Sequence, residues 1–220
     1  MLKKLQIMLY TICMMIFLVG TVNANAIDEQ ENLTVQNNAL QLEYVTGNYP
    51  TIAKADSILI KSKINTELEK VVSDFVEQIK YQNKQENMPN SVAGFISYNV
   101  KANTDEVFSV VIHCSTMFKG AAHPTTYSYG LTFDHNGNLI HFMDIIQEDK
   151  KSGKNIYTEK NLYNAILAQA GDRIFNDSIV PLKADFPKEF YLDSDKNLHL
   201  LFQQYEIAPY AAGLIDITLK

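Results

Sequence analysis

The sequence predicts an α+β fold: an antiparallel sheet with one long and one shorter packed helix, in two coupled subdomains. Three observations predict it. Residues 52–84 contain no glycine or proline and repeat apolar side chains at three- and four-residue steps. Most of the remaining chain is short runs of β-branched and aromatic residues separated by Asn, Asp and Gly,. The strand–helix alternation of parallel nucleotide-binding folds is absent, as is a glycine-rich phosphate loop,.

The elements follow in order. Lys3 and Lys4 precede an almost wholly apolar run over residues 5–19, and Ala24-Asn25-Ala26 then stands just before Asp28 and Glu29. This is the layout of a secretory signal peptide over residues 1–26. The run is shorter than the ~20 residues a membrane-spanning helix needs. Tyr10-Thr11-Ile12 before Cys13 is too bulky for a lipid-attachment site. Cleavage after Ala26 is therefore expected, with the product exported to the periplasm or the medium and free of the membrane.

Residues 27–38 are polar and unpatterned and read as a disordered spacer. Residues 39–88 read as an N-terminal subdomain of one strand and the long helix. Leu40, Leu42 and Tyr44 alternate as in a strand, and Gly47-Asn48-Tyr49-Pro50 would end it,. Ile64, Leu68, Val71, Val72, Phe75, Val76 and Ile79 form the apolar stripe of the helix, with Glu67, Glu69, Lys70, Asp74, Glu77 and Lys80 outside it,. The polar loop over residues 82–91 marks the internal boundary.

Residues 89–220 read as an antiparallel β-rich subdomain with one helix. GFISYNVKA and EVFSVVIHCSTMF, joined at Asn103-Thr104-Asp105, make a hairpin,. TTYSYGLTFD and LIHF flank His135-Asn136-Gly137-Asn138, a second hairpin signal,. MDIIQEDKKSGKN reads as a turn and polar loop. Thr158 is placed as the N-cap of a helix reaching about Asp177, with Leu162, Ile166, Ala170 and Ile174 at helical spacing,. EFYLD, the turn SDKN, the long run LHLLFQQYEI and GLIDITL complete the chain as strands.

Composition narrows the function. Losing residues 1–26 removes two lysines and no acid, leaving 17 basic against 25 acidic residues, a formal charge of −8. Such a chain repels nucleic acid and anionic lipid and suits a basic partner, although the charge also serves solubility. Arg173 is the single arginine, which argues against phosphate and nucleic-acid recognition,. After cleavage Cys114 is the one cysteine, so no intramolecular disulfide is expected. On a strand, its neighbour His113 points to the opposite face, so the pair is no catalytic dyad; the thiol reads as a small core hydrophobe.

No HExxH, GxSxG, CxxC or SxxK pattern occurs, and His113, His123, His135, His141 and His199 are scattered. His135 and His141 flank the Asn-Gly turn and could share a metal with Asp134 or Asp144, but this falls short of a zinc ligand set. No cofactor is expected. Asp193-Ser194-Asp195-Lys196-Asn197 begins like a calcium loop but lacks the glycine at its sixth position and the glutamate at its twelfth, so it reads as a hairpin turn,. Glu206 is the most conspicuous acid, in an otherwise uncharged stretch. It is either a partly buried acid with a raised pKa or an acceptor for backbone amides, and the second role is favoured because buried carboxylates need partners.

Glu206 belongs to YEIAPYAAG, residues 205–213. Pro209 fixes its own φ and keeps Ala208 extended. Ala211, Ala212 and Gly213 allow close backbone approach, and Tyr205 and Tyr210 can bury their rings. The stretch reads as a structural corner between two strands whose outer surface joins the exposed 120–125 turn.

GAAHPTTYSYGLTFDHNGNLIHFMDI and LHLLFQQYEIAPYAAGLIDITL resemble two signature stretches of a bacterial extracytoplasmic domain family. That family includes the sensing domain of the anti-sigma factor RsiV and the non-catalytic N-terminal region of the peptidoglycan deacetylase PdaC. The G-x-A-H turn, the G-N hairpin, the Y-E-I-x-P-Y-A-x-G corner and Ile64-Asn65 carry the resemblance, which spans residues 40–219. It implies two coupled α+β parts and a binding role, since the RsiV domain recognises lysozyme. No second membrane segment and no deacetylase domain is evident, so sigma-factor binding and metal-dependent deacetylation are not carried over.

The expectation is an exported cell-envelope recognition module without catalytic activity. It would bind a protein, with lysozyme as precedent, or a cell-wall ligand, through a surface containing His123, Pro124, Tyr205, Glu206 and Tyr210. The alternatives are a peptidoglycan-acting enzyme with an unrecognised site and a purely structural envelope protein. N-terminal sequencing of the exported form checks the first step: Ile27 is expected as the first residue, and a product beginning near Met1 contradicts the signal-peptide assignment.

Overall fold

Residues 33–85, 90–175 and 187–220 are described in a computed structural model. The expected signal peptide, residues 27–32 of the expected spacer, part of the 82–91 loop and the last expected helical residues near Asp177 lie outside them.

The glycine-free apolar stripe forms α1 (Ile58–Asn83). The helix begins later than the glycine- and proline-free stretch because Ser57 is an N-cap: its backbone is extended, and its hydroxyl accepts from the Ile60 N–H at 3.1 Å,. Ile64, Leu68, Val72, Phe75, Val76 and Ile79 are buried against a five-stranded sheet. Its strands are β1 (Thr34–Gln41), β2 (Val45–Lys54), β3 (Val92–Asn103), β4 (Val107–Phe118) and β5 (Thr125–Asp134), in that spatial order. Val45, Ile52, Val92, Ile96, Phe108, Val110, Ile112, Cys114, Leu131 and Phe133 supply the sheet's side of this core.

The β3–β4–β5 meander is antiparallel, with the expected turn between β3 and β4. Three details correct the sequence reading. Thr34–Gln41 is an edge strand paired with β2 rather than spacer. An edge strand is held by main-chain bonds, so its polar composition is no obstacle. Gly47-Asn48-Tyr49-Pro50 continues β2 instead of ending it. Pro50 is tolerated because β2 meets β3 only over Val45–Gly47, leaving that side of β2 unpaired further along,. That short β2–β3 pairing is parallel, since α1 carries the chain across the sheet as a crossover,.

The second part begins with α2 (Phe142–Lys151), a helix where a turn and polar loop were expected. The Asp144 carboxylate accepts from the His141 N–H at 3.1 Å, and Lys150 and Lys151 lie in the last turn, so both helix ends carry complementary charge,. LIHF contributes a single bridge, Leu139 to Phe133, rather than a strand. α3 (Glu159–Ala170) starts as expected, with Thr158 Oγ1 accepting from the Asn161 N–H at 3.2 Å. It packs through Leu162, Ile166 and Ala170 on a three-stranded antiparallel sheet of β6 (Glu189–Leu192), β7 (Leu198–Phe202) and β8 (Ile215–Leu219). The long run LHLLFQQYEI is therefore strand only as far as Phe202. Since β1, β2 and α1 share one core with β3–β5, the break expected near residue 88 falls inside that core; the two parts are the α1 sheet and the α3 sheet.

Their junction is built on β5. As the last strand of its sheet, β5 turns alternate main-chain groups outward, and these need partners. The Thr126 N–H donates to Gln204 Oε1 at 3.0 Å, the Ser128 N–H to Gln203 Oε1 at 2.9 Å, and the Gly130 N–H to Glu189 Oε2 at 2.9 Å. Gln203 Nε2 donates back to the Ser128 carbonyl at 3.0 Å. The spacing 126, 128, 130 is the period of two of a strand edge. At Gly130 any side chain is excluded: a Cβ would lie 1.9 Å from the Phe190 carbonyl oxygen. Val111, Tyr191 and Leu201 close the apolar part of the junction. Among the described residues no helix is long and apolar enough to cross a membrane.

Equilibrium chemical denaturation tests this junction. Gln203→Ala leaves the buried Ser128 amide without its acceptor and should cost about 1–3 kcal/mol. Gly130→Ala should cost at least as much, because main chain has to move. Unchanged midpoints for both would mean that the two sheets do not depend on this edge.

Candidate functional site

The sequence-predicted residues come from two loops 82 positions apart that β5 and β7 bring together. His123 and Pro124 end the loop between β4 and β5, while Tyr205, Glu206 and Tyr210 lie in the connection from β7 to β8. Gln203 and Gln204 open that connection and bind β5, which sets Tyr205 beside the 120–125 turn.

The turn itself is tight. The Glu206 N–H donates to the Gln203 carbonyl at 3.1 Å, and Glu206 Oε2 accepts from the Gln203 N–H at 2.7 Å. Glu206 thus serves as the favoured backbone acceptor, but it is exposed rather than partly buried. Tyr205 occupies the third turn position with φ 66°, a left-handed conformation costly for an aromatic residue,.

The His123 imidazole stacks on the Tyr210 ring, with centroids 3.6 Å apart and planes 19° from parallel. His123 Nδ1 lies 3.1 Å from the Pro124 carbonyl, which only accepts, so Nδ1 carries the proton,. Nε2 is then free to accept from the Tyr205 hydroxyl at 3.4 Å. Tyr205 and Tyr210 rings are 6.0 Å apart. The expectation that both tyrosines bury their rings needs correction: Tyr205 is 55% exposed and Tyr210 half-buried. The structural corner is made instead by Ile207 and Ala208, buried in the α3 core. Gly213 has open space around it and is required for its φ of 69°, not for close approach.

Along β5 the platform continues into Tyr127 and Glu189, which sequence reasoning did not single out. The Tyr127 hydroxyl donates to Glu189 Oε1 at 3.3 Å. Burial, then Glu189, Tyr129 and Glu206, push Tyr127 up to about 12. Burial also raises Glu189, opposed by the Gly130 N–H and the Tyr127 hydroxyl and reinforced by Glu206. Nothing in the spacing of Glu189 from Tyr127 marks it in the sequence; only the β5–β6 crossing brings them together.

A second polar cluster was also missed. His199 lies between two carboxylates, with Nδ1 2.8 Å from Asp216 Oδ1 and Nε2 3.2 Å from Asp193 Oδ2. The Tyr191 hydroxyl donates to Asp216 Oδ2 at 2.7 Å, and its ring stacks on the imidazole at 4.4 Å. Asp193 also folds the expected hairpin turn, its Oδ1 accepting from the Asp195 and Asn197 N–H groups. An open cleft of about 480 Å³ lies nearby, lined by Ile140, Ile145, Ile156, Leu192 and Lys196 among others. The buried Asp149 in its wall is engaged by the Ile156 and Tyr157 N–H groups at 3.1 and 2.9 Å.

The remaining predicted groups do not converge. Cys114 lies in the α1 core with burial pushing its thiol up to about 12, while His113 bonds Ser128 Oγ at 2.8 Å on the other face. Asp134 is tied into its own turn by Asn136 and Asn138. Among the described residues no three His, Cys, Asp or Glu side chains are grouped to hold a metal ion.

Comparison with known proteins agrees with this architecture. Residues 34–126 match the family model described as Deacetylase PdaC, and residues 143–220 match DUF3298, a family of unknown function. A DUF3298-family crystal structure from Pseudomonas aeruginosa is 13% identical with a TM-score of 0.59, the match covering 86% of this chain and 91% of that one. Another, from Bacteroides fragilis, is 15% identical with a TM-score of 0.53, over 86% and 92% of the two chains. At such identities the likeness is one of fold, and it includes both parts of the molecule. No curated protein matches the chain.

Because Tyr210 is half-buried, Tyr210→Ala should lower stability by about 1–2 kcal/mol, below the ~3–5 kcal/mol of a fully buried aromatic. Thermal melts check this. A loss in the upper range would place the ring in the core rather than on the platform.

Proposed function

We propose that this chain, which joins a PdaC-like segment to a DUF3298-like one, is an exported cell-envelope module that recognises a basic protein through the His123–Tyr205–Tyr210 platform. The observation that supports it is an exposed tyrosine held rigidly in a strained conformation. Tyr205 keeps 55% of its surface open although the turn around it is closed by Glu206 and anchored on β5. Rigid tyrosines offer large contact area at small entropic cost, and backbone strain of this kind clusters at functional positions.

Charge favours a basic partner. Glu206 and Glu189 flank the platform, and the exported chain would carry −8. Electrostatic attraction raises association rates and is screened over ~8–10 Å at physiological salt. The resemblance to the lysozyme-recognising family makes lysozyme the natural probe. A catalytic role has less support: both Glu189 oxygens are engaged, and Glu206 closes its own turn.

Biosensor measurements with lysozyme at low and moderate salt, beside co-sedimentation with purified peptidoglycan, test the proposal. Saturable lysozyme binding that slows with salt is expected. Tyr205→Gly, which suits the left-handed turn, should weaken it about tenfold or more while leaving the melting temperature close to the parent. Retention by peptidoglycan alone would assign the platform to a cell-wall ligand. Association with neither, at micromolar protein in low salt, overturns the recognition role.

A further inference from the structure

The His199 cluster has no part in the platform, yet it is too specifically arranged to be a bland surface contact. His199 sits on β7 on the side that carries Leu201, facing the larger sheet. Ionised carboxylates only accept hydrogen bonds, so an imidazole bonded to one through each nitrogen must carry both protons and a positive charge. Among the described residues, the titratable and charged groups that face it come from three neighbouring elements and one turn. Asp193 comes from the β6–β7 turn, and Tyr191 stacks from β6. Asp216 and Thr218 come from β8, with Thr218 Oγ1 3.3 Å from Nδ1. From β3, Lys101 Nζ lies 4.8 Å from the Tyr191 ring centroid.

A neutral imidazole has one N–H for these two carboxylates. The shorter bond, to Asp216, is the one to survive, since that carboxylate is itself held by Tyr191. A bare Nε2 would then face Asp193 Oδ2, acceptor against acceptor. Losing that bond removes the tie from the Asp193 side chain to β7 and leaves the turn free to fray. The carboxylate's remaining bonds, to the Asp195 and Asn197 N–H groups and to Asn197 Nδ2, are all internal to residues 193–197. The same turn carries Lys196, which pairs with Glu106 in the β3–β4 turn and, with Leu192, lines the 480 Å³ cleft.

We propose that His199 is a proton-operated latch: protonated, it ties the 193–197 turn and one wall of that cleft to β8; deprotonated, it releases them. The pH sense follows from the pairing. Burial opposes the charge on His199, but Asp216 and Asp193 together outweigh it and hold the imidazole above its ordinary 6.5. Burial likewise opposes the carboxylates' charge, yet hydrogen bonds hold Asp216 and Asp193 below their ordinary 3.8. The histidine's contribution is complete below 6.5 and is lost as pH rises through the raised value. The carboxylates' contribution is complete above 3.8 and is lost as pH falls through the lowered values. The latch is closed between those limits and opens on the alkaline side.

An NMR titration of the His199 ring, with hydrogen exchange of residues 193–197 at about pH 5.5 and about pH 8.5, tests it. The ring should titrate above 6.5. Asp195 and Asn197 amides should lose protection at the higher pH after correction for intrinsic exchange. Asp193→Asn should bring the His199 titration down, and His199→Gln should abolish the pH dependence of exchange in the turn. Titration at or below 6.5, or equal protection at both pH values in the parent protein, overturns the latch whether or not the variants fold.

Discussion

The fold depends on how the open edge of β5 is satisfied. A strand edge demands hydrogen bonds at every second residue, and among the described residues no further strand pairs with this one. Side-chain amides and a carboxylate stand in for main chain: Gln204 on Thr126, Gln203 on Ser128, Glu189 on Gly130. The device recurs throughout the molecule. Asn65 bonds both the N–H and the carbonyl of Ile52, Asn83 does so with Val92, and Gln169 with Thr218. Each primary amide carries one acceptor and two donors, so it can replace a peptide group at the end of a pairing. These bonds tie α1 to both β2 and β3, α3 to β8, and the second sheet to the first.

The platform is a consequence of that docking. Once Gln203 and Gln204 are spoken for by β5, the chain has to reverse at once, and the reversal places Tyr205 in the left-handed region. Glu206 closes the turn from behind, while Ile207 and Ala208 dive into the α3 core. Tyr205 is thereby held outward, and Tyr210 returns beneath His123. The surface is rigid because its neighbours on either side are fixed to two different sheets.

Three kinds of acid share this small molecule, and their environments set their roles. Glu206 is exposed and serves one backbone amide. Glu189 is half-buried beside it, and burial raises it despite two hydrogen bonds. Asp193 and Asp216 flank a cationic histidine and are lowered. The first two lend negative charge to the platform, whereas the last two lock the far end of the second sheet through a proton.

The sequence by itself determined what is local. The α1 stripe, the β3–β4 hairpin, the Thr158 cap, the Asp193 turn and the buried Cys114 were legible because periodicity, capping chemistry and turn residues act within a few positions. So was the position of the corner at 205–213 and the pairing of its residues with the 120–125 turn, though there a family resemblance helped. Tertiary structure alone decided what depends on register between distant segments. β1 is a strand only because β2 lies beside it, and α2 forms where Phe142 and Ile145 find the α3 core to pack against. Tyr191, Asp193, His199 and Asp216 become one cluster because β6, β7 and β8 align those positions, and a shift of one residue would turn them to opposite faces,. The sequence allowed the Tyr205 ring to be buried or to join an outer surface, and the structure leaves it outside, because burial is set by the partner across the interface, which local sequence does not contain.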